Sequence, residues 1–148
     1  MTFYSFLVHF HSITRWLLLV GLVVSIFIAL YYFLSKKEKG KSGMQIQFFT
    51  ATIAHIQLLL GFYLYFLSSK VVFSSETMKF AATRFYAVEH SSMMIIAIVI
   101  ITIGMMRARR AKTERKYFWS IFLFYLIGLL LILSAIPWPS GKIPGGWF

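Results

Sequence analysis

The chain has 148 residues, of which 59% are hydrophobic and only 13% are charged, and its mean hydropathy is +0.78. A soluble domain of this size cannot hide so much apolar area, so the composition predicts a protein that faces lipid. The absence of Cys and Asp excludes disulfides, zinc–thiolate sites, iron–sulfur clusters and covalently attached c-type haem, and it argues against a carboxylate-rich divalent-metal site.

Four apolar stretches follow one another along the chain, and we place membrane spans at about 7–34, 44–67, 85–106 and 117–136. Each stretch reaches the roughly 20 residues needed to cross about 30 Å of hydrocarbon as a helix. Lipid cannot satisfy free backbone groups, so helices are required. Pro137 and Pro139 end the last helix. The sequence therefore predicts an all-α fold: one domain over residues 1–148, built as an up-down bundle of four transmembrane helices.

The basic residues predict the orientation of this bundle. Ten of the 15 Lys and Arg residues lie in the first and third connections, which carry the runs 36–41 and 107–116. By the positive-inside rule, these connections are cytoplasmic, and both termini and the loop 68–84 lie on the non-cytoplasmic side. The net charge of +11 is thus explained by orientation, and no nucleic-acid partner is expected.

Ionisable residues inside the spans are the most informative feature of the sequence, because they are costly in lipid and usually functional. All four histidines lie in a span or at its mouth. The ionisable residues in or beside the spans are His9, His11, Arg15, His55, Arg84, Glu89 and His90.

Two histidines on different helices can ligate a haem iron from both sides, and the propionates then need cations near a membrane surface. His90 is the strongest ligand candidate, since it lies inside a span near an arginine. His55 is the first choice for its partner, on an adjacent helix and about two turns deeper. His11 is the rival partner, because spans one and three are diagonal in an up-down bundle. Arg15 and Arg84 are the expected cations.

Small residues on span three support the same interpretation. His90, Ala97 and Gly104 follow each other at heptad spacing, which predicts a stripe where a porphyrin could approach closely. Glu89 is expected to orient a ligand histidine or to neutralise an arginine, so that His11, Arg15, Arg84 and Glu89 would form one cluster at the outer face.

Other interpretations of these residues remain open. An intramembrane histidine is often an interhelical hydrogen-bond partner, and glycines are often packing notches. His9 and His11 are two apart and point about 200° away from each other, so at most one faces the bundle axis, and His9 suits the interface. A copper or zinc site built by His9 or His11 with Glu89 and His90 is a further possibility.

Three stretches resemble small four-helix bacterial membrane proteins of the cytochrome b-like family. They begin at His9, His55 and Arg84 and read HFHSITRW, HIQLLLG and RFYAVEH, and the closing IPWP at 136–139 fits as well. The resemblance covers nearly the whole chain. It implies a b-type haem held by histidines, whose family positions fall on His9, His11, His55 and His90, and a multi-pass protein of the bacterial inner membrane.

The function expected from the sequence is electron transfer by a membrane-bound b-type cytochrome, with the quinone pool or as a subunit of a respiratory-type complex. No nucleophile–base motif indicates a self-contained enzyme. The alternative is a non-redox accessory subunit of a larger membrane complex, with the histidines in structural roles.

Overall fold

The computed structural model describes residues 2–35, 41–75 and 77–139, and over this part of the chain the protein is helical without strands. The elements are α1 (Phe3–Ser35), α2 (Lys41–Leu67), α3 (Ala81–Arg84), a π-helical turn (Phe85–Glu89, here the π-turn), α4 (His90–Arg109) and α5 (Glu114–Ala135). Elements α3, π-turn and α4 run on as one helical segment.

Four of these helical segments are long and apolar enough to cross a membrane: Phe3–Ser35, Met44–Leu67, Ala81–Arg109 and Glu114–Ala135. The chain is therefore an all-α, multi-pass membrane protein. The third segment begins four residues before the predicted span, because α3 and the π-turn extend α4 towards the loop. Helix α5 begins after Thr113, whose hydroxyl caps it by accepting a hydrogen bond from the backbone N–H of Lys116.

The helices form a four-cornered bundle. Helix α1 packs against α2 and α5, and α4 packs against α5 and α2, so α1 and α4 lie on a diagonal. Contacts of Tyr4 with Ser68 and of Ser25 with Thr50 show that α1 and α2 are antiparallel. We call the end that carries residues 68–80 the loop end, and the end that carries residues 107–116 the basic end.

The core lies along the shared axis of all four long helices. Its fully buried apolar side chains include Leu22, Ala54, Ile101, Phe118 and Ile121. Many large apolar side chains point outward on the described helices, and Phe66 is 75% exposed. Apolar side chains therefore lie both in the core and on the surface, because a membrane bundle gains nothing from burying them away from lipid.

Two glycines bring α4 and α5 together. A Cβ added to Gly104 would overlap Cβ of Phe124, and one added to Gly128 would lie 2.5 Å from Cγ1 of Ile101. The small residues predicted to admit a porphyrin therefore serve helix packing instead: Gly104 faces Phe124, and the carbonyl of the buried Ala97 would lie 3.4 Å from the Cβ added to Gly128. The expectation of an open stripe along Ala97 and Gly104 is wrong.

Candidate functional site

A cavity of about 400 Å³ lies between the four long helices in the half of the bundle nearest the loop end. This volume is within the range of sites that bind small molecules and cofactors. Aliphatic side chains form much of its wall. Its polar lining residues among those described are Tyr4, His11, Ser12, Arg15, Gln57, Tyr65, Ser68, Lys70, Tyr86, His90 and Ser91.

His90 reaches the cavity from the first turn of α4, and its ring orientation is held by α5. Its Nδ1 lies 2.8 Å from the carbonyl oxygen of Ala135. A carbonyl only accepts, so Nδ1 carries the proton and donates it. In the neutral ring, Nε2 then keeps its lone pair. This is the arrangement in which a backbone carbonyl fixes the tautomer of a metal-binding histidine.

His11 reaches the same cavity from α1, across the diagonal, and Gln57 of α2 holds it. The Gln57 amide nitrogen donates to the backbone carbonyl of His11 at 2.9 Å and lies 3.3 Å from His11 Nε2. The amide oxygen accepts from the Thr14 hydroxyl, so the amide is fixed in this orientation. Since Gln57 presents N–H groups to His11, the ring accepts at Nε2 and carries its proton on Nδ1.

The Nδ1 atom of His11 is buried, and no hydrogen-bond partner for it is found among the described residues. A buried N–H without an acceptor is unfavourable, and a ligand bound at Nε2 would leave this cost unchanged. Both cavity histidines thus keep their protons on Nδ1 and have a lone pair on Nε2.

Two cations line the cavity at different depths. Arg15 lies one helical turn beyond His11 on the same face of α1, and its guanidinium carbon is 5.6 Å from the Trp16 ring centroid. Lys70 lies at the loop end, with Nζ 5.0 Å from the Tyr86 ring centroid. The cavity is therefore electropositive from its mouth to its interior, while its walls are apolar.

The π-turn shapes the entrance to α4 just before His90. Tyr65 of α2 donates its hydroxyl to the carbonyl of Ala87 within the π-turn at 2.9 Å, and the Ser91 hydroxyl donates to the same oxygen. Single π-turns inside helices are frequent at functional sites, since the inserted residue changes which side chains share a face.

Arg84 and Glu89 pair with each other instead of joining His11 and Arg15. Arg84 Nε donates to Glu89 Oε1 at 2.7 Å, and both side chains are partly exposed. A π-helical turn brings residues five apart onto one face, which explains the pairing. Neither residue is among the described lining of the cavity. The predicted single cluster is thus wrong, and its members form two separate groups.

His55 also lies apart from His90. Its Nδ1 donates to the Ala51 carbonyl at 2.7 Å, and its Nε2 is 3.1 Å from the Thr102 hydroxyl. Thr102 is twelve residues beyond His90 on α4, about 18 Å along the helix. Among the described residues His55 does not line the cavity. The expected pairing of His90 with His55 is therefore wrong. The axial offset between α2 and α4 places His55 beside Thr102, far along α4 from His90.

His9 is exposed on the opposite face of α1 from His11, in agreement with the 200° between them. Within the described residues, no three His, Cys, Asp or Glu side chains gather as a metal ion would require. The outer-mouth site of His9 or His11 with Glu89 and His90 is thus not assembled, because Glu89 pairs with Arg84 outside the cavity.

Gln57, Tyr65 and Lys70 are lining residues that the sequence interpretation missed. A signal existed for Gln57: it is four residues from Gly61, so both share a face of α2, whereas His55 is two residues away and points about 200° from it. In the structure Gly61 indeed lies beside His11, since a Cβ there would be 3.5 Å from His11 Cε1. Lys70 lies in a loop, where helical periodicity carries no information.

The chain matches no family model, no curated protein and no solved structure.

Proposed function

We propose that the chain is a membrane-bound b-type cytochrome that binds haem in the cavity between α1 and α4 and transfers electrons with the quinone pool or within a larger respiratory-type complex. The observation that carries the proposal is that His11 and His90, on diagonal helices, line one cavity, with His90 Nδ1 bonded to the Ala135 carbonyl and His11 Nε2 beside the Gln57 amide nitrogen. A bound haem b would supply a one-electron carrier.

The residues present fit such a group. The Ala135 carbonyl orients His90 and increases the basicity of its Nε2. In this structure His11 Nε2 accepts a hydrogen bond from the Gln57 amide nitrogen, which also donates to the His11 carbonyl. If Nε2 bound a ligand, Gln57 would therefore lose one hydrogen bond and keep the other. His11 and His90 also lie at similar depths in the bundle. His11 lies beside Gly61 of α2. This level is between the contact of Tyr65 with Ala87, near His90, and the deeper contact of His55 with Thr102.

The cavity also contains cations that could compensate the charge of the haem propionates. Propionates are anions that need compensation in a medium of low polarity. Arg15 and Lys70 line the cavity and would supply this charge, whereas the predicted Arg84 is not among the described lining residues. The remaining walls of the cavity are largely aliphatic, which suits a porphyrin face.

The test is a reduced-minus-oxidised absorption spectrum of the purified protein, produced with ample haem and its native partners. We expect low-spin b-type bands in the wild type and their loss in His11→Ala and in His90→Ala. His55→Ala is the matched control: it removes an intramembrane histidine outside the cavity, so the bands should stay.

A wild type without haem bands would reject the cytochrome assignment and favour the accessory-subunit role. Loss of the bands in His55→Ala but not in His11→Ala would show that the ligand pair is wrong. Metal analysis of the same sample distinguishes haem iron from copper or zinc held by the two imidazoles.

A further inference from the structure

A second cavity, of about 280 Å³, lies at the basic end of the bundle, between the end of α1 and the start of α5. Its described lining is Phe33, Thr113, Arg115, Lys116 and Trp119, and we call it the basic notch. Nothing in the proposed electron-transfer function uses it, since the haem cavity lies in the opposite half of the bundle.

The basic notch joins an aromatic floor to a cationic rim. The Phe33 and Trp119 rings lie 5.1 Å apart, and the guanidinium carbon of Arg115 is 5.0 Å from the Phe33 ring centroid. An arginine stacked on a ring is held in place by cation–π attraction and keeps its N–H groups for an anion. Lys116 adds a second charge on the next residue of the chain.

The backbone at the notch also favours an anion. Thr113 lines it and caps α5, a helix of 22 residues whose first-turn N–H groups have few intrahelical partners. The positive end of the helix dipole therefore adds to the field of Arg115 and Lys116. Glu114, the acid of this turn, is not among the described lining residues.

The notch lies at the end of two membrane-length apolar helices, and its composition is typical of a membrane interface. Trp119 is 46% exposed, and Trp together with Lys and Arg at helix ends marks the membrane interface. Further along α5, exposed apolar side chains such as Leu130 share the helix face of Trp119 and continue away from the basic end. A ligand in the notch can thus place a phosphate on the rim and chains along the helices.

We propose that the basic notch binds the headgroup phosphate of an anionic phospholipid, with the acyl chains packed along the outer faces of α1 and α5. Charge complementarity selects the phosphate, and continuity with the lipid-facing surface selects a lipid over a free anion. Bound lipid would tie the end of α1 to the start of α5.

The experiment uses the full chain in phosphatidylcholine vesicles that contain a minor fraction of phosphatidylglycerol. Brominated acyl chains quench nearby tryptophans, and the contribution of Trp119 is the difference between the wild type and Trp119→Phe. Brominated phosphatidylglycerol should quench Trp119 more than brominated phosphatidylcholine at the same fraction. Arg115→Gln should weaken the apparent affinity about fivefold, and Lys116→Gln should act in the same direction.

Arg109→Gln is the matched control. It removes the same charge from the same end, and Arg109 also lies on a ring, 4.9 Å from the Phe48 centroid, but outside the notch. Its apparent affinity should stay near that of the wild type. Equal losses in Arg109→Gln and Arg115→Gln, or equal quenching by the two lipids, would overturn the proposal. Displacement by inorganic phosphate at matched ionic strength would reject a lipid as the occupant.

Discussion

Three intramembrane histidines of this chain have different surroundings, and their hydrogen bonds distinguish their roles. His90 has one nitrogen bonded and the other available to the cavity, while His11 has a buried Nδ1 for which the described residues offer no partner. His55 has both nitrogens within hydrogen-bond distance of a partner, Ala51 and Thr102. We therefore assign His55 to helix packing between α2 and α4.

A double-mutant cycle measures this packing role. His55→Ala and Thr102→Val should each lower the free energy of unfolding in detergent, and the coupling between them should be about 0.6 kcal/mol, with an upper bound of about 1.7 kcal/mol. The Thr102 hydroxyl also lies 2.7 Å from the Ile98 carbonyl and has one proton to share, which limits the coupling. Additive effects of the two substitutions would show that the contact contributes nothing.

The Tyr65 hydroxyl links α2 to the π-turn that precedes His90. Tyr65→Phe removes the hydrogen bond to the Ala87 carbonyl, but Ser91 still donates to that oxygen, so the loss of unfolding free energy should stay at about 1 kcal/mol or less. If the π-turn helps to position His90, the haem bands should shift or broaden in Tyr65→Phe. The neighbouring Tyr63→Phe is the control, because Tyr63 is 51% exposed and lies outside the cavity lining. Identical spectra for both variants would limit Tyr65 to a structural role.

At the scale of elements, the close approach of α4 and α5 positions His90. Gly104 lets the two helices touch, and the hydrogen bond from His90 to Ala135 depends on the same relative placement. Helix α2 packs less closely at the level of Gly61, which lines the cavity. The bundle is thus closely packed between α4 and α5, and it contains a cavity across the diagonal of α1 and α4.

Gly104→Ala tests the closely packed pair. A Cβ at this position would overlap Phe124 Cβ, so the helices must separate, and we expect a loss of about 1–3 kcal/mol in unfolding free energy. Gly61→Ala is the matched control, since its Cβ meets its nearest neighbour at 3.5 Å, an ordinary contact. Unfolding in detergent followed by circular dichroism gives both values. Similar stability of the two variants would mean that α4 and α5 are not as close as described.

At the scale of the whole molecule, charge and hydropathy act on different properties. The four apolar helices make the chain a membrane protein, and the ten basic residues of the first and third connections predict how it is inserted. With this insertion, the cavity between α1 and α4 and the basic notch face opposite leaflets, since they occupy opposite halves of the bundle.

Because the chain has no Cys, a single introduced cysteine is the only thiol that can be labelled, and its reactivity shows on which side of the membrane it lies. Met78→Cys, in the exposed loop end, should react with a membrane-impermeant maleimide on intact cells. Lys112→Cys, at the basic end, should react only after permeabilisation. Labelling in the reverse order would show that the bundle is inserted with its basic end outward.

The fold class and part of the candidate site could be predicted from the sequence. Apolar runs of membrane length leave a chain few alternatives to helices, because unsatisfied backbone groups are costly in lipid. The same cost makes each ionisable residue in a span conspicuous, so His11, Arg15 and His90 could be found without coordinates. Helical periodicity also separated His9 from His11.

Which of these residues meet depends on how the helices pack against one another. The relative register of α2 and α4 is set by contacts such as Tyr65 with Ala87, and it placed His55 beside Thr102 instead of His90. The π-turn changed which residues share a face, so that Arg84 paired with Glu89. Sequence periodicity describes one helix at a time, whereas a site between helices depends on their rotation and sliding, which side-chain packing alone specifies.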